Sequence, residues 1–367
     1  MFTMDMLPAG HGDALWLEYG EGDGRSRALV DGGTGPTYDV LRSRIAALPP
    51  DDRRIELLVV THVDADHIEG IIRLLQDARL GLRIDDVWFN GWQHLPGDVF
   101  APTHGEMLSA LLLDLDQQWN GAFDGESVAT SDDDGPLPVV ELDGGLRLTV
   151  LGPGAPELAA LQLVWEREVR EAGLVPGSPR PALDLLYKTP RLQIPEYGTG
   201  GPDVEALAGS EDPLDESEAN GSSILLLAEF AGRSVLLGAD GIAPVMTAGI
   251  GRLLRERGEE VLAVDAVKVA HHGSRRNVRD DHVELVRSSR YLFSTNGAYY
   301  HHPDQQAVAR ILLGEAGEDR SLLFNYRTEE NEVWDDPALM ERWRYRAVYP
   351  DPLPPGLRVD LERGADQ

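Results

Sequence analysis

The chain has 367 residues, 42% of them apolar, which is enough to bury the core of one large α/β domain or of two smaller ones. Its 63 acidic residues against 33 Lys and Arg give a formal charge of −30, which disfavours coating nucleic acid or an anionic membrane through long-range attraction. It has no cysteine, no apolar run near the ~20 residues of a membrane span, and no basic-then-apolar plan over Met1–Pro8. Disulfide scaffolds, Cys-based zinc sites and thiol catalysis are excluded, and the expectation is a cytoplasmic protein without membrane attachment.

In chain order, Ala14–Tyr19 and Arg27–Val30 read as strands around the turn Gly20–Gly24. A helix over Val40–Leu48 stops at Pro49-Pro50. The apolar run Ile55–Val60 reads as a buried strand delivering Thr61-His62 at its end, followed by a helix over Ile68–Leu75. Val87–Phe89, Val139–Leu142 and Leu146–Leu151 continue the strand series. Ser223–Phe230 and Ser234–Leu237 then form a hairpin, followed by a helix over Val245–Arg257 and a strand over Ala266–Ala270. A helix over Asp281–Arg287, a strand over Tyr291–Ser294 and a helix over Asp304–Leu313 complete the plan. Two such halves fit two mixed sheets with helices outside, a four-layer αββα sandwich in the α/β class.

Residues 1–330 are read as the main domain and 331–367 as a C-terminal extension packed on it. Within the main domain, 155–220 forms an insert. Its first part, Glu157–Gly173, is helical, and Val175–Asn220 is rich in Pro, Gly and acid. Between Asp203 and Glu218 stand seven acids and no Lys or Arg, the composition of a lid, a binding loop or a disordered segment.

The strongest chemical signal is Thr61-His62-Val63-Asp64-Ala65-Asp66-His67, where a buried strand meets a helix. His62 and Asp64 are two apart in extended chain and so point the same way. Asp66 and His67, at the helix entrance, can turn toward a second position. The bland account, Asp66 as a helix N-cap among ordinary loop histidines, leaves four potential ligands in six residues unexplained. Asp240, between Gly238 and Gly241 at another strand end, suits a bridging carboxylate. His271-His272-Gly273-Ser274 ends a third strand. Read alone, the Asp could be a turn residue and the histidine pair a surface accident. Together, three strand ends are expected to present ligands to one sheet edge.

These residues carry a resemblance. His62-x-Asp64-x-Asp66-His67, Asp31-Gly32-Gly33, Gly238-x-Asp240 and His271-His272-Gly273-Ser274 resemble the metallo-β-lactamase fold hydrolases. Gly10-His11-Gly12-Asp13, Asn220-Gly221-Ser222-Ser223 and His302-Pro303 extend the similarity from Gly10 to about Leu313. Within that superfamily the chain most resembles the branch containing the metal-binding domain of the DNA-uptake channel ComEC, although it shares only that domain type.

The resemblance implies two divalent cations, zinc first and manganese second because Asp64 replaces the usual His and makes the site richer in oxygen. It gives His62 and Asp64 to one metal, Asp66 and His67 to the other, Asp240 as the bridge and His271 as the last ligand, with His272 a close alternative. The usual ligand His before the bridging Asp has no clear counterpart; Asn220 stands there. Asp66, His272 and His302 are the expected catalytic groups, with His301 and His302 as loop surface residues the alternative. Asp13, Asp31, Asn220 and Ser274 are the expected supporting or substrate-contacting groups. Lys268, Arg275 and Arg276 are expected to supply anion contacts or to be solvated charge.

The function implied is a metal-activated-water hydrolase acting on a phosphodiester. The acidic surface favours a small or recessed phosphoester over nucleic acid. Hydrolysis of a lactone, thioester or amide on the same site is the alternative. A metal-bearing scaffold or sensor with a protein partner in a bacterial multi-protein system comes third, and true β-lactamase activity last.

Overall fold

The computed structural model describes residues 1–22, 24–95, 103–131, 135–171, 202–314, 319–350 and 355–362. Most of the acidic stretch 175–220 and most of the Pro-Leu-Pro-Pro run therefore lie outside the described residues.

Two sheets face one another. The first has six strands in the order β16-β1-β2-β3-β4-β5: β1 (Phe2–Met6), β2 (Leu15–Tyr19), β3 (Ser26–Val30), β4 (Arg54–Val59), β5 (Arg83–Trp88) and β16 (Leu357–Asp360). The second has eight, in the order β15-β14-β13-β11-β9-β8-β7-β6. These are β6 (Val139–Glu141), β7 (Arg147–Gly152), β8 (Leu225–Phe230), β9 (Arg233–Leu237), β11 (Ala266–Lys268), β13 (Arg290–Phe293), β14 (Arg320–Phe324) and β15 (Tyr345–Val348). Two short strands, β10 (Leu262–Ala263) and β12 (Val286–Arg287), pair in parallel outside both sheets.

The side chains sort into three apolar layers, which is the signature of four stacked layers of structure. Met4, Leu17, Val59 and Trp88 of the first sheet meet Leu148, Leu226, Leu237 and Leu292 of the second between the sheets. Trp16, Leu58, Ile71 and Leu108 pack the first sheet against α1 (Thr37–Ala46), α2 (Ala65–Leu75), α3 (Thr103–Asp114) and α4 (Ala155–Glu171). Leu227, Val267 and Phe293 pack the second against the helices Ala243–Arg257 and Gln305–Leu313 through Met246, Ile250 and Ile311. Because β4 and β11 are buried on both faces, they read in the sequence as near-continuous apolar runs. The architecture is the αββα sandwich expected.

Three elements differ from the expectation. The helix predicted over Asp281–Arg287 ends at Val283, because Leu285 and Val286 extend to pair with Leu262. The strand predicted to reach Ala270 stops at Lys268, since the next residues coil into a tight turn. The C-terminal stretch contributes β15 to the edge of one sheet and β16 to the edge of the other, rather than lying on the body as an appended element. Residues 204–220 pack on the domain: the short helix Val204–Ala208 joins the core with Ala307 and Val308, and Asp212 pairs with the buried Arg310 at 2.7 Å.

Candidate metal centre

The centre forms where the C-terminal ends of β4, β9 and β11 converge. These strands belong to both sheets, so the ligands come from the seam between the sheets and not from one sheet edge. β4 delivers His62; Asp64 follows at the N-cap position of α2 but does not cap it, and Asp66 and His67 occupy the first helical turn. Gly12 lets the β1–β2 loop press onto this turn: a Cβ there would lie 1.7 Å from the Asp66 carbonyl oxygen. Gly70 does the same for α2, which abuts the Gly32 carbonyl.

After β9, Ala239 (φ 42°) reverses the chain and turns the buried Asp240 toward the histidines. After β11, His271 (φ 44°) and His272 (φ 54°) are consecutive left-handed residues. Such conformations cost of order 1–3 kcal/mol each outside glycine and persist where surroundings enforce them. Here they swing both imidazoles toward Asp240.

Asp240 is the hub. Its Oδ2 lies 3.4 Å from His67 Nε2, 3.6 Å from His271 Nε2 and 3.9 Å from His62 Nε2, and its Oδ1 lies 3.5 Å from His272 Nε2. Asp64 Oδ2 is 3.6 Å from His62 Nε2, and Asp66 Oδ2 is 3.6 Å from His272 Nε2 and 3.9 Å from His67 Nε2. Asp64 stands beside His62, and Asp66 beside His67 and His272; His62, His67 and His271 share Asp240 Oδ2, whereas His272 meets Oδ1. The sequence reading took His271 as the last ligand, with His272 a close alternative, and counted His272 among the catalytic groups. Of the pair, His272 stands beside Asp66, because the turn aims the second imidazole toward α2, while His271 meets Asp240 Oδ2.

Each imidazole is held by its other nitrogen. His67 Nδ1 is 2.8 Å from Asp31 Oδ2, and His272 Nδ1 is 2.8 Å from the Ser294 carbonyl oxygen. His271 Nδ1 is 2.9 Å from Asn277 Oδ1, whose own amide nitrogen donates to Asp215, Asp240 and Gly241 oxygens. His62 Nδ1 is 3.0 Å from Thr61 Oγ1, which donates its proton to Asp31. Every one of these partners accepts, so the hydrogen-bond network assigns the proton of each neutral ring to Nδ1 and leaves a lone pair on Nε2. The Nε2 atoms of His62, His67 and His272, and Asp240 Oδ1, are buried without any hydrogen-bond partner. A buried polar atom left unpaired is costly, and four around one point fit a divalent cation in the usual imidazole–carboxylate coordination. Several of these residues, including His62 with His67 and Asp240, and Asp66 with His67 and His272, place one ligand atom each within 4.8 Å of one another.

Among the protein's own charges, burial pushes His67 and His272 toward neutrality, but Asp240 in both cases, joined by Asp31 or Asp13, holds them well above the usual imidazole value. Burial pushes Asp240 up, yet His272, His271 and His67 hold it well below the carboxylate range. The site thus stores mutually compensating charge that a cation can replace.

The remaining predicted residues divide clearly. Asp31, fully buried with φ 60°, accepts from the Thr61 amide and hydroxyl and from His67. Asp13 forms an ion pair with Lys268 and lies 3.4 Å from His272 Nδ1. Lys268 is therefore neither an anion contact nor solvated charge; it is buried under the centre. Asn220 donates to Asp215 Oδ2 at 2.6 Å and lies 3.4 Å from His271 Nδ1. Ser274 closes the histidine turn, its amide donating to the His271 carbonyl. Arg275 and Arg276 reach Asp212 and the Leu214 carbonyl, tying down the acidic segment. His302 is buried with its ring 5.5 Å from that of His271, while His301 turns to Glu330 at 3.0 Å.

Sequence reasoning missed Asp215, Asn277 and His11. Asp215 Oδ2 sits 3.3 Å from His271 Nδ1, but it was one acid among seven. His11 stacks on Tyr299 with ring centroids 5.3 Å apart, and its pKa is lowered, chiefly by burial. The Gly10-His11-Gly12-Asp13 block was visible, and only the fold shows that its histidine borders the centre.

Part of the chain matches a known family. Residues 8–165 match the Metallo-beta-lactamase superfamily. That stretch carries Asp13, Asp31 and His62 through His67, while Asp240 and the histidine pair lie beyond it, on the second sheet. The described residues form a mixed α/β structure of two main sheets with helices outside, consistent with the metallo-β-lactamase fold. Among solved structures, the chain is similar to a CmlA β-hydroxylase E377D mutant, with 13% identity, a TM-score of 0.39, and coverage of 98% of this chain and 54% of that one. It thus spans about half the length of that protein. It is also similar to Zn²⁺-bound PqqB from Methylobacterium extorquens, with 12% identity, a TM-score of 0.42, and coverage of 98% of this chain and 100% of that one. No curated protein matches. Among the described residues, no helix is long and apolar enough to cross a membrane.

Proposed function

We propose that this chain is a hydrolase that holds two divalent cations and cleaves a phosphodiester, with zinc the first expectation and manganese the second. The observation that carries the reading is the convergence of four Nε2 lone pairs on Asp240, flanked by Asp64 and Asp66. His62, Asp64 and His271 would hold one cation, Asp66, His67 and His272 the other, with Asp240 between them. When bound, such cations supply a water of lowered pKa and stabilise negative charge at the attacked centre.

The chain's own groups do the rest. Asp31, Ser294 and Asn277 fix the imidazoles so that their Nε2 atoms face inward. Two dications would carry one charge more than Asp64, Asp66 and Asp240 together, while Asp31 and Asp215 stand behind the His67 and His271 rings, so the cations themselves are the part of the centre that would draw an anionic ester. Burial, with His271 and His272 nearby, holds His302 well below the ordinary imidazole value, so this ring stays neutral. In this reading it donates a hydrogen bond to a phosphoryl or leaving-group oxygen. Water adds across one P–O bond and yields a phosphomonoester and an alcohol.

The sequence resemblance to the ComEC-like branch supports a phosphodiester over a carboxylic ester. Metal analysis followed by assay on bis(p-nitrophenyl) phosphate tests the reading. Turnover that Asp240→Ala reduces by at least about a thousandfold is expected. Turnover of lactones or thioesters but no phosphodiester would replace it.

A further inference from the structure

Tyr299 and Tyr300 are large aromatic side chains left 51% and 57% exposed, against the general burial of such residues. Both stand at the mouth of the centre. Tyr299 stacks on His11 at 24° between ring planes, and Tyr300 stacks on His302 at 27° with centroids 5.9 Å apart. Tyr300 also meets His271 edge-on, 6.4 Å between centroids. The two tyrosines stand at 73° to each other, 4.5 Å apart, so the four rings form a corner with each tyrosine backed by an imidazole. Such backing fixes a ring's orientation and leaves its other side to solvent. Planar rings recognise planar rings: stacking of a base on an aromatic side chain is sequence-tolerant and substantial.

We propose that Tyr299 and Tyr300 receive a planar ring carried by the substrate, so that the ester cleaved is one bearing an aromatic group of the nucleoside or aryl type. This deepens the reading of the site as a phosphodiesterase and rests on it.

The test compares thymidine 5′-(p-nitrophenyl) phosphate with methyl p-nitrophenyl phosphate, which share the p-nitrophenyl leaving group and differ in the other arm, a nucleoside against a methyl group. Wild type is expected to prefer the thymidine ester. Tyr299→Leu/Tyr300→Leu, which keeps bulk but removes the flat faces, is expected to lower the ratio of the two kcat/KM values by about tenfold, mainly through KM. A second readout is calorimetric binding of AMP against ribose 5-phosphate to the metal-loaded protein, expected to favour AMP in wild type and to lose that preference in the double variant. Preference for bis(p-nitrophenyl) phosphate with no preference for AMP assigns the corner to aryl groups. A ratio unchanged by the double variant, or a wild type that prefers neither AMP over ribose 5-phosphate nor bis(p-nitrophenyl) phosphate over methyl p-nitrophenyl phosphate, overturns the proposal. Absence of all turnover with the AMP preference retained would instead sink the phosphodiesterase reading alone.

Discussion

His67 Nδ1 lies 2.8 Å from Asp31 Oδ2, and the other oxygen of the same carboxylate accepts the Thr61 amide at 2.8 Å. One buried acid therefore fixes both the helix-borne imidazole and the end of β4. Removing it with Asp31→Ala takes the acceptor from three buried donors, the Thr61 amide and hydroxyl and His67 Nδ1, at roughly 1–3 kcal/mol each, and frees the His67 ring to rotate. Zinc affinity is expected to fall by about 10- to 100-fold, read by competition with a chromophoric chelator.

Metal binding should release protons. With only protein charges present, His67 and His272 hold protons more tightly than free imidazole, because the attraction of Asp240 and its neighbouring acids overcomes the burial that pushes them down. A cation must displace those protons, so affinity is expected to rise with pH through and above the ordinary imidazole value of about 6.5. Calorimetry at pH 7 in buffers of different ionisation enthalpy should give a buffer-dependent heat with net proton release.

A second pH effect lies away from the centre. Burial lowers His94 and His282 to about 4. The unfolded chain, near 6.5, takes up these protons first. Their contribution to stability is thus complete above pH 6.5 and lost as pH falls from there to about 4. For the fully buried His282 the loss is on the order of 3 kcal/mol at pH 4. Chemical denaturation of His282→Leu against wild type at pH 7 and pH 4.5 should show a smaller acid loss in the variant.

The fold was legible wherever burial is two-sided or helical spacing is regular. β4, the hairpin of β8 and β9, and the helix Ala243–Arg257 lie within a few residues of their predicted places. The helix expected over Asp281–Arg287 was not, because Leu285–Val286 is apolar in either period and only its pairing with Leu262 decides between them. Within the centre, strand-end position exposed the candidate ligands. The order of the histidine pair was hidden, because it depends on two left-handed residues that no local propensity favours. Asp215 and Asn277 were hidden for another reason: their roles are hydrogen bonds across long sequence separations.

Lys268 and Asp13 test how the centre is supported from beneath. Both are almost fully buried, and burial, which pushes Asp13 up, is outweighed by Lys268 and His272, which hold it at about 2. Lys268→Met leaves that carboxylate without its partner, an expected cost of about 3–5 kcal/mol seen as a lower midpoint in denaturant. Lys268→Met/Asp13→Leu should recover a large part of the loss, since neither charge then remains buried alone.

The measurement closest to the central claim is the zinc content of protein reconstituted and then dialysed, for wild type and for Asp240→Ala. Because Asp240 touches all four imidazoles, wild type should retain about two equivalents and the variant fewer than about one. Wild type that retains no zinc or manganese, or a variant that retains as much as wild type, would contradict the account.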